Sequence, residues 1–115
     1  MSEYKVIFHV DETNKWKLVL ANTRNLLNAL QDSKLTVEIL ANSEAVIFLT
    51  AANHSEEELT TLSDLAKTVN FSVCNNSLKA LGIDPSSLLD FVTVVPSGVA
   101  ELAIKQHEGY SYIKP

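Results

Sequence analysis

One side chain in this 115-residue sequence can act as a strong nucleophile, and it is the single cysteine, Cys74. A thiol reacts as its thiolate, and the unpaired N–H groups and positive dipole end of a helix's first turn favour that anion over the ordinary pKa of about 8.5. With no second cysteine there is no Cys-x-x-Cys pair and no resolving thiol, so thioredoxin-type oxidoreduction within one chain is excluded. What a lone thiolate can do is accept a sulfane sulfur as a persulfide and release it to a second attacking thiol. The competing reading is packing, because unpaired cysteine is among the most buried residue types.

The remaining reactive side chains form no familiar constellation. His9, His54 and His107 match no zinc spacing, so no metal site is expected. His9 would serve as base or cation beside Cys74 only if their two strands were neighbours, and a histidine next to a strand end is more often structural. His107 most simply stabilises a helix C-terminus. With only Gly82, Gly98 and Gly109 there is no dinucleotide fingerprint and no phosphate loop, and no serine lies in a nucleophile-elbow pattern. No cofactor is implied.

Composition narrows the class further. The chain is 46% hydrophobic and 20% charged, enough apolar material for one domain with its own core. Its net charge of −5 comes with nine scattered Lys and Arg, which provide no stripe for a nucleic-acid backbone, so direct nucleic-acid binding is not expected. No apolar run approaches the roughly 20 residues of a membrane span and no leader pattern opens the sequence, so a cytoplasmic protein with a free thiol is expected.

The elements that must position Cys74 follow from periodicity. Residues 4–10 form a β-branched and aromatic run, strand one, and residues 16–30 repeat apolar side chains at helical steps, with Thr13 or Asn14 available as N-cap. Residues 35–40 alternate as strand two and break at Ala41, Asn42 and Ser43. Residues 45–49 are ambiguous between a buried strand and a short buried helix, and the helix is favoured. Ser55 and Glu58 make a capping box for a helix carried by Leu59, Leu62, Leu65, Ala66 and Val69. Residues 71–74 form strand three, after which Asn75 or Asn76 can cap a brief helix through Leu78 and Leu81 to Gly82. Pro85 interrupts, residues 86–89 form a turn of helix, and residues 91–95 form strand four. A last helix starts at Ser97 and ends near His107 and Gly109, and residues 110–113 form a terminal strand. This alternation predicts an α/β fold, a three-layer α/β/α sandwich on a largely parallel five-stranded sheet.

In such a sheet the residues after each strand share one edge. Strand one delivers His9, Asp11 and Glu12 there; strand two delivers Asn42 and Ser43; strand three delivers Cys74, Asn75 and Asn76; strand four delivers Ser97 and Gly98. Cys74 stands at a strand-to-helix junction among these polar groups, which favours the functional reading over packing.

Several stretches resemble the small stand-alone members of the DsrE/DsrF-like superfamily: His9 to Glu12 with Trp16, residues 69–82 around Cys74, residues 95–102 with Pro96, Ser97 and Gly98, and residues 106–115. The resemblance spans nearly the whole chain. It implies the three-layer fold, assembly into homo-oligomers such as trimers or hexamers, a sulfur donor or acceptor protein as partner, and a persulfide-bearing cysteine at the position of Cys74. It also favours the helical reading of residues 44–49. Asn42 and Ser43 stand where relatives often carry glycine. The resulting expectation is a sulfur-transfer protein with Cys74 as acceptor; the alternative is an oligomeric small-ligand-binding module with no cysteine chemistry.

Overall fold

A strand covered on both faces loses the alternation of a half-solvated one and reads as an unbroken apolar run. β1 (Glu3–Val10) and β2 (Lys34–Ala41) approach this over 6–8 and 39–41, and in the computed structural model, which describes residues 2–52 and 54–115, they pair in parallel along eight residues, Glu3 to Lys34 through Val10 to Ala41. β3 (Val69–Cys74) pairs parallel to β2, β4 (Val92–Val95) parallel to β3, and β5 (Ser111–Ile113) parallel to β1. The order across the sheet is β4-β3-β2-β1-β5.

This order dictates where the helices lie. A parallel crossover is right-handed, so connections that step in one direction place their helices on one face, and a step back places its helix on the other. β1 to β4 step one way through α1 (Trp16–Ala29), a 3-10 segment (Ser43–Leu49), α2 (Glu56–Leu65) and α3 (Asn75–Leu81). These elements share one core, in which Trp16, Val19, Ala45, Val46, Leu49, Leu62, Leu65 and Leu78 meet Phe8, Ile39, Phe71 and Val73 of the sheet. From β4 the chain returns past three strands to β5 through α4 (Gly98–His107), and Leu102 of α4 buries Ile7, Leu40 and Val95 on the opposite face. The sandwich is therefore lopsided, with one helix on its thin side.

Local chemistry sets the element ends. Both arms of the capping box are made: Ser55 Oγ accepts from Glu58 N–H at 3.1 Å, and Glu58 Oε1 accepts from Ser55 N–H at 3.0 Å. Gly82 ends α3 with φ of 67°, the left-handed conformation that glycine adopts without a Cβ penalty. Residues 43–49 are helical, as favoured, but as 3-10 turns clamped by Trp16, whose indole Nε1 donates to Ala45 O at 2.8 Å and whose ring stacks on Phe48.

Four expectations are corrected. Neither Thr13 nor Asn14 caps α1, because a 3-10 turn (Thr13–Lys15) leads into it from Glu12. Neither Asn75 nor Asn76 caps α3, since the cap position is Cys74 itself. Val69 opens β3 rather than continuing α2, pairing with Val37 once the helix has ended at Leu65. The turn near Pro85 spans Pro85–Ser87, capped by Asp84 Oδ1 accepting from Ser86 N–H.

Glu38 is the exception within the apolar β2. It is 4% exposed, at the centre of the sheet beneath α4, with Oε1 4.0 Å from Lys105 Nζ. Burial first, then the neighbouring carboxyl of Glu101, push its pKa up to about 7, against the smaller pull of Ser72 and Lys105. Because the folded value lies above the unfolded one, the associated stability is complete below about pH 4.5 and lost as pH rises through about 7. Glu38→Gln should therefore remove this slope and make the protein more stable than wild type by up to roughly 3 kcal/mol at about pH 8 in urea unfolding. A wild-type slope that survives the substitution would show that other groups set it.

Candidate functional site

In an open parallel sheet, a crevice opens where two adjacent strands send their connections to opposite faces. β3 and β4 are that pair here, with α3 leaving to the thick side and α4 to the thin one. Cys74 ends β3 and Gly98 begins α4, and both stand at this switch point. A Cβ built on Gly98 would lie 3.1 Å from Cys74 Cβ, 3.2 Å from Leu40 Cδ1 and 3.3 Å from Asn42 Cβ. Glycine thus suits the close approach, since a methyl group here would need its neighbours to give by a few tenths of an ångström.

Cys74 is 6% exposed. Burial opposes ionisation, yet the Ser77 hydroxyl and the backbone N–H groups of Gly98, Ser77 and Asn76 outweigh it, so the thiol pKa falls below its ordinary value. The donors come from two helices: Asn76 and Ser77 are the second and third residues of α3, where N–H groups have no intrahelical acceptor, and Gly98 is the first of α4. Ser77 is oriented from its other side. Its Oγ accepts the Ser43 N–H at 2.7 Å, which leaves its own proton free for the sulfur.

Ser43 makes that bond with φ of 53°, in the left-handed region where an L side chain costs about 1 kcal/mol. Ser43 belongs to the Asn42-Ser43 pair, and serine here holds a glycine-like backbone. Ser43, Asn42, Asn76, Ser77, Ala80 and Leu81 enclose an open cleft of about 310 Å³. Ser77 is a wall of the cleft and a neighbour of the sulfur at once.

The other expected residues divide. His9 is not beside Cys74, because β2 separates β1 from β3. It lies in a chain of bonds: Nε2 donates to Asn42 Oδ1 at 2.9 Å, and Nδ1 is hydrogen-bonded with the Tyr112 hydroxyl at 2.6 Å. His9 therefore acts on the cleft through Asn42, as a positioning group. Asp11 pairs with Lys114 at 3.2 Å, and Glu12 offers its carbonyl to Lys15 N–H, both after β1 and two strands from the cysteine. Asn75 opens α3, and Ser97 Oγ caps α4 by accepting from Ala100 N–H at 3.2 Å. Sequence reasoning overlooked Ser77 and Tyr112. The signal for Ser77 was present, a hydroxyl three residues after a cysteine at a helix start; for Tyr112 there was none without strand order. Among the described residues no group of three His, Cys, Asp or Glu gathers to hold a metal ion.

The model of the DsrE/DsrF-like family matches residues 5–115. The chain belongs to that family. Among solved structures, the protein of unknown function MTH1491 from Methanobacterium thermoautotrophicum is 36% identical, with a TM-score of 0.86 over 97% of this chain and 99% of that one. The ychN protein from E. coli is 20% identical, with a TM-score of 0.72 over 97% of this chain and 99% of its own, a likeness of fold alone. No curated protein matches the sequence. The DsrE/DsrF-like sheet and its helices thus agree with both structures, while the polar setting of Cys74 is a property of this chain's own residues. No helix among the described residues is long and apolar enough to cross a membrane.

Ser77→Ala removes the hydroxyl next to the sulfur and strands the Ser43 N–H. The alkylation rate of Cys74 near neutral pH should fall several-fold, with the midpoint of its pH profile moved upward, and unfolding should cost about 1–3 kcal/mol less. An unchanged alkylation profile would remove Ser77 from the thiolate's environment.

Proposed function

We propose that this protein carries sulfane sulfur as a persulfide on Cys74. The observation that supports this reading is the set of donors turned on one buried sulfur, the Ser77 hydroxyl and the N–H groups of Gly98, Ser77 and Asn76, which favour its thiolate despite burial. A purely packed cysteine needs no such donors. In the transfer, the Cys74 thiolate attacks the outer sulfur of a donor R–S–SH. A bond forms between Cys74 Sγ and that sulfur, the donor's S–S bond breaks, and its electron pair leaves as the thiolate R–S⁻. The sulfane sulfur keeps its oxidation state, and an acceptor thiolate repeats the exchange and frees Cys74. In this reading Asn42 and Asn76, which line the cleft beside Ser77, surround the outer sulfur, and the bond from His9 to Asn42 supports that role. A donor or acceptor protein is the partner this chemistry requires.

The working unit is proposed to be a homo-oligomer, as the family resemblance implies. Val99 and Ile104 on α4, 71% and 52% exposed, support a covered thin side. The alternative of a small-ligand-binding module is favoured by one observation, the 6% exposure of Cys74.

One measurement separates these readings and a second tests the assembly. Treating the native protein with sodium polysulfide and weighing it intact should show one added sulfur on wild type and none on Cys74→Ser; equal loading of both, or none on either, ends the carrier reading. Native mass spectrometry of the untreated protein should show a trimer or hexamer, and a monomer at micromolar concentration would contradict the assembly.

A further inference from the structure

The thin side of the sheet contains a polar cluster that sulfur chemistry does not use. Glu38 projects from β2 beneath α4 with its side chain 5% exposed, and its Oε2 has no hydrogen-bond partner among the described residues. An orphan carboxylate oxygen at that depth is costly, whereas a protonated one can donate to a neighbouring carboxyl. The carboxyl available is Glu101, one turn into α4.

The groups facing Glu38 come from every element around it. α4 contributes Glu101 and Lys105, and Lys105 Nζ is 4.0 Å from Glu38 and 3.8 Å from Glu108. β3 contributes Ser72. The connection to β5 contributes Tyr110, whose ring lies under Lys105 Nζ at 5.2 Å and Lys5 Nζ of β1 at 5.9 Å. Lys105 is thus shared among two further carboxylates and an aromatic ring, and one partly engaged cation cannot neutralise both Glu38 and Glu101.

The same helix begins against the cysteine. Gly98, at the start of α4, lies against Cys74, and Glu101, three residues later, is the carboxyl whose proximity helps raise Glu38. The apolar hold on α4 is slight, Leu102 against Ile7, Leu40 and Val95 with Tyr110 at the margin. A charge placed beneath α4 therefore acts on the contact that closes over the sulfur.

We propose that the Glu38–Glu101 pair is a pH-sensitive latch: sharing a proton, it seats α4 and closes Gly98 over Cys74, and losing that proton it loosens α4 and opens the sulfur to reactants. The latch is regulation of the site read above as a sulfur carrier and rests on that reading for its use. Its physical operation needs only the thiol. The raised pKa of Glu38, about 7, places the change near neutrality.

The test is the alkylation rate of Cys74 by iodoacetamide in the native protein, compared at each pH with Glu38→Gln, whose amide cannot ionise. Because moving Gly98 also moves a donor to the sulfur, the thiolate fraction of each protein is followed in parallel by ultraviolet absorbance and the rates are compared per thiolate. The wild-type to Glu38→Gln ratio should be near unity at about pH 5.5 and rise to roughly tenfold at about pH 8.5. Glu101→Gln, which removes the like charge, should shift the rise to lower pH, and it serves where Glu38→Gln folds poorly. A ratio that stays flat, or a Glu101→Gln profile coincident with wild type, overturns the latch. Sulfur loading is read separately: loading with a flat ratio sinks the latch alone, and a rising ratio without loading upholds the latch while the carrier reading fails.

Discussion

The structure depends on one reversal of direction. Four strands are laid down in one sense with their helices on one face, and the chain then returns across the sheet to place β5 beside β1. Right-handed crossover geometry sends α4 to the opposite face, so the helices that follow β3 and β4 diverge and their first turns border the same crevice. Cys74 is the last residue of the strand that opens that crevice. Its surroundings follow from this: N–H groups with no helical acceptor, from two helices on opposite faces, meet at one sulfur.

The residues around the sulfur form a second layer of constraint. Ser43 takes a left-handed backbone conformation and directs its N–H to Ser77, so local strain fixes the hydroxyl that faces the cysteine. His9 joins Tyr112 of β5 to Asn42 of the cleft, tying the last strand to the wall of the site. Gly98 admits α4 to contact distance. The thick side of the sandwich is held chiefly by its large apolar core. Strained backbone, polar bridges and a buried carboxyl all lie near the crevice or beneath the single helix of the thin side.

Much of the fold was legible in the sequence because its signals are local. Apolar runs at 4–10 and 91–95, the Ser55 and Glu58 box and the Gly82 stop each act within a few residues, and the structure places the elements they imply. Val69 was misplaced because an apolar residue at helical spacing is also a good strand opener, and pairing with Val37 decided it. Gathering the residues after each strand into one edge placed Asn42, Ser43, Asn76 and Gly98 with Cys74, but could not show that Asp11 and Glu12 stay with β1, since strand order is a nonlocal property. Glu38 was passed over for a related reason. In a strand that seems to alternate, a charged residue is assigned to solvent, and only the return of α4 over the sheet buries it.

The central claim is that this crevice favours the thiolate of a buried cysteine. Following the ultraviolet absorbance of the Cys74 thiolate through a pH titration of the native protein, with Cys74→Ser as the blank, tests it most directly. Ionisation below the ordinary thiol range is predicted. Ionisation at or above that range would mean that burial dominates and that the converging N–H groups do not govern the sulfur.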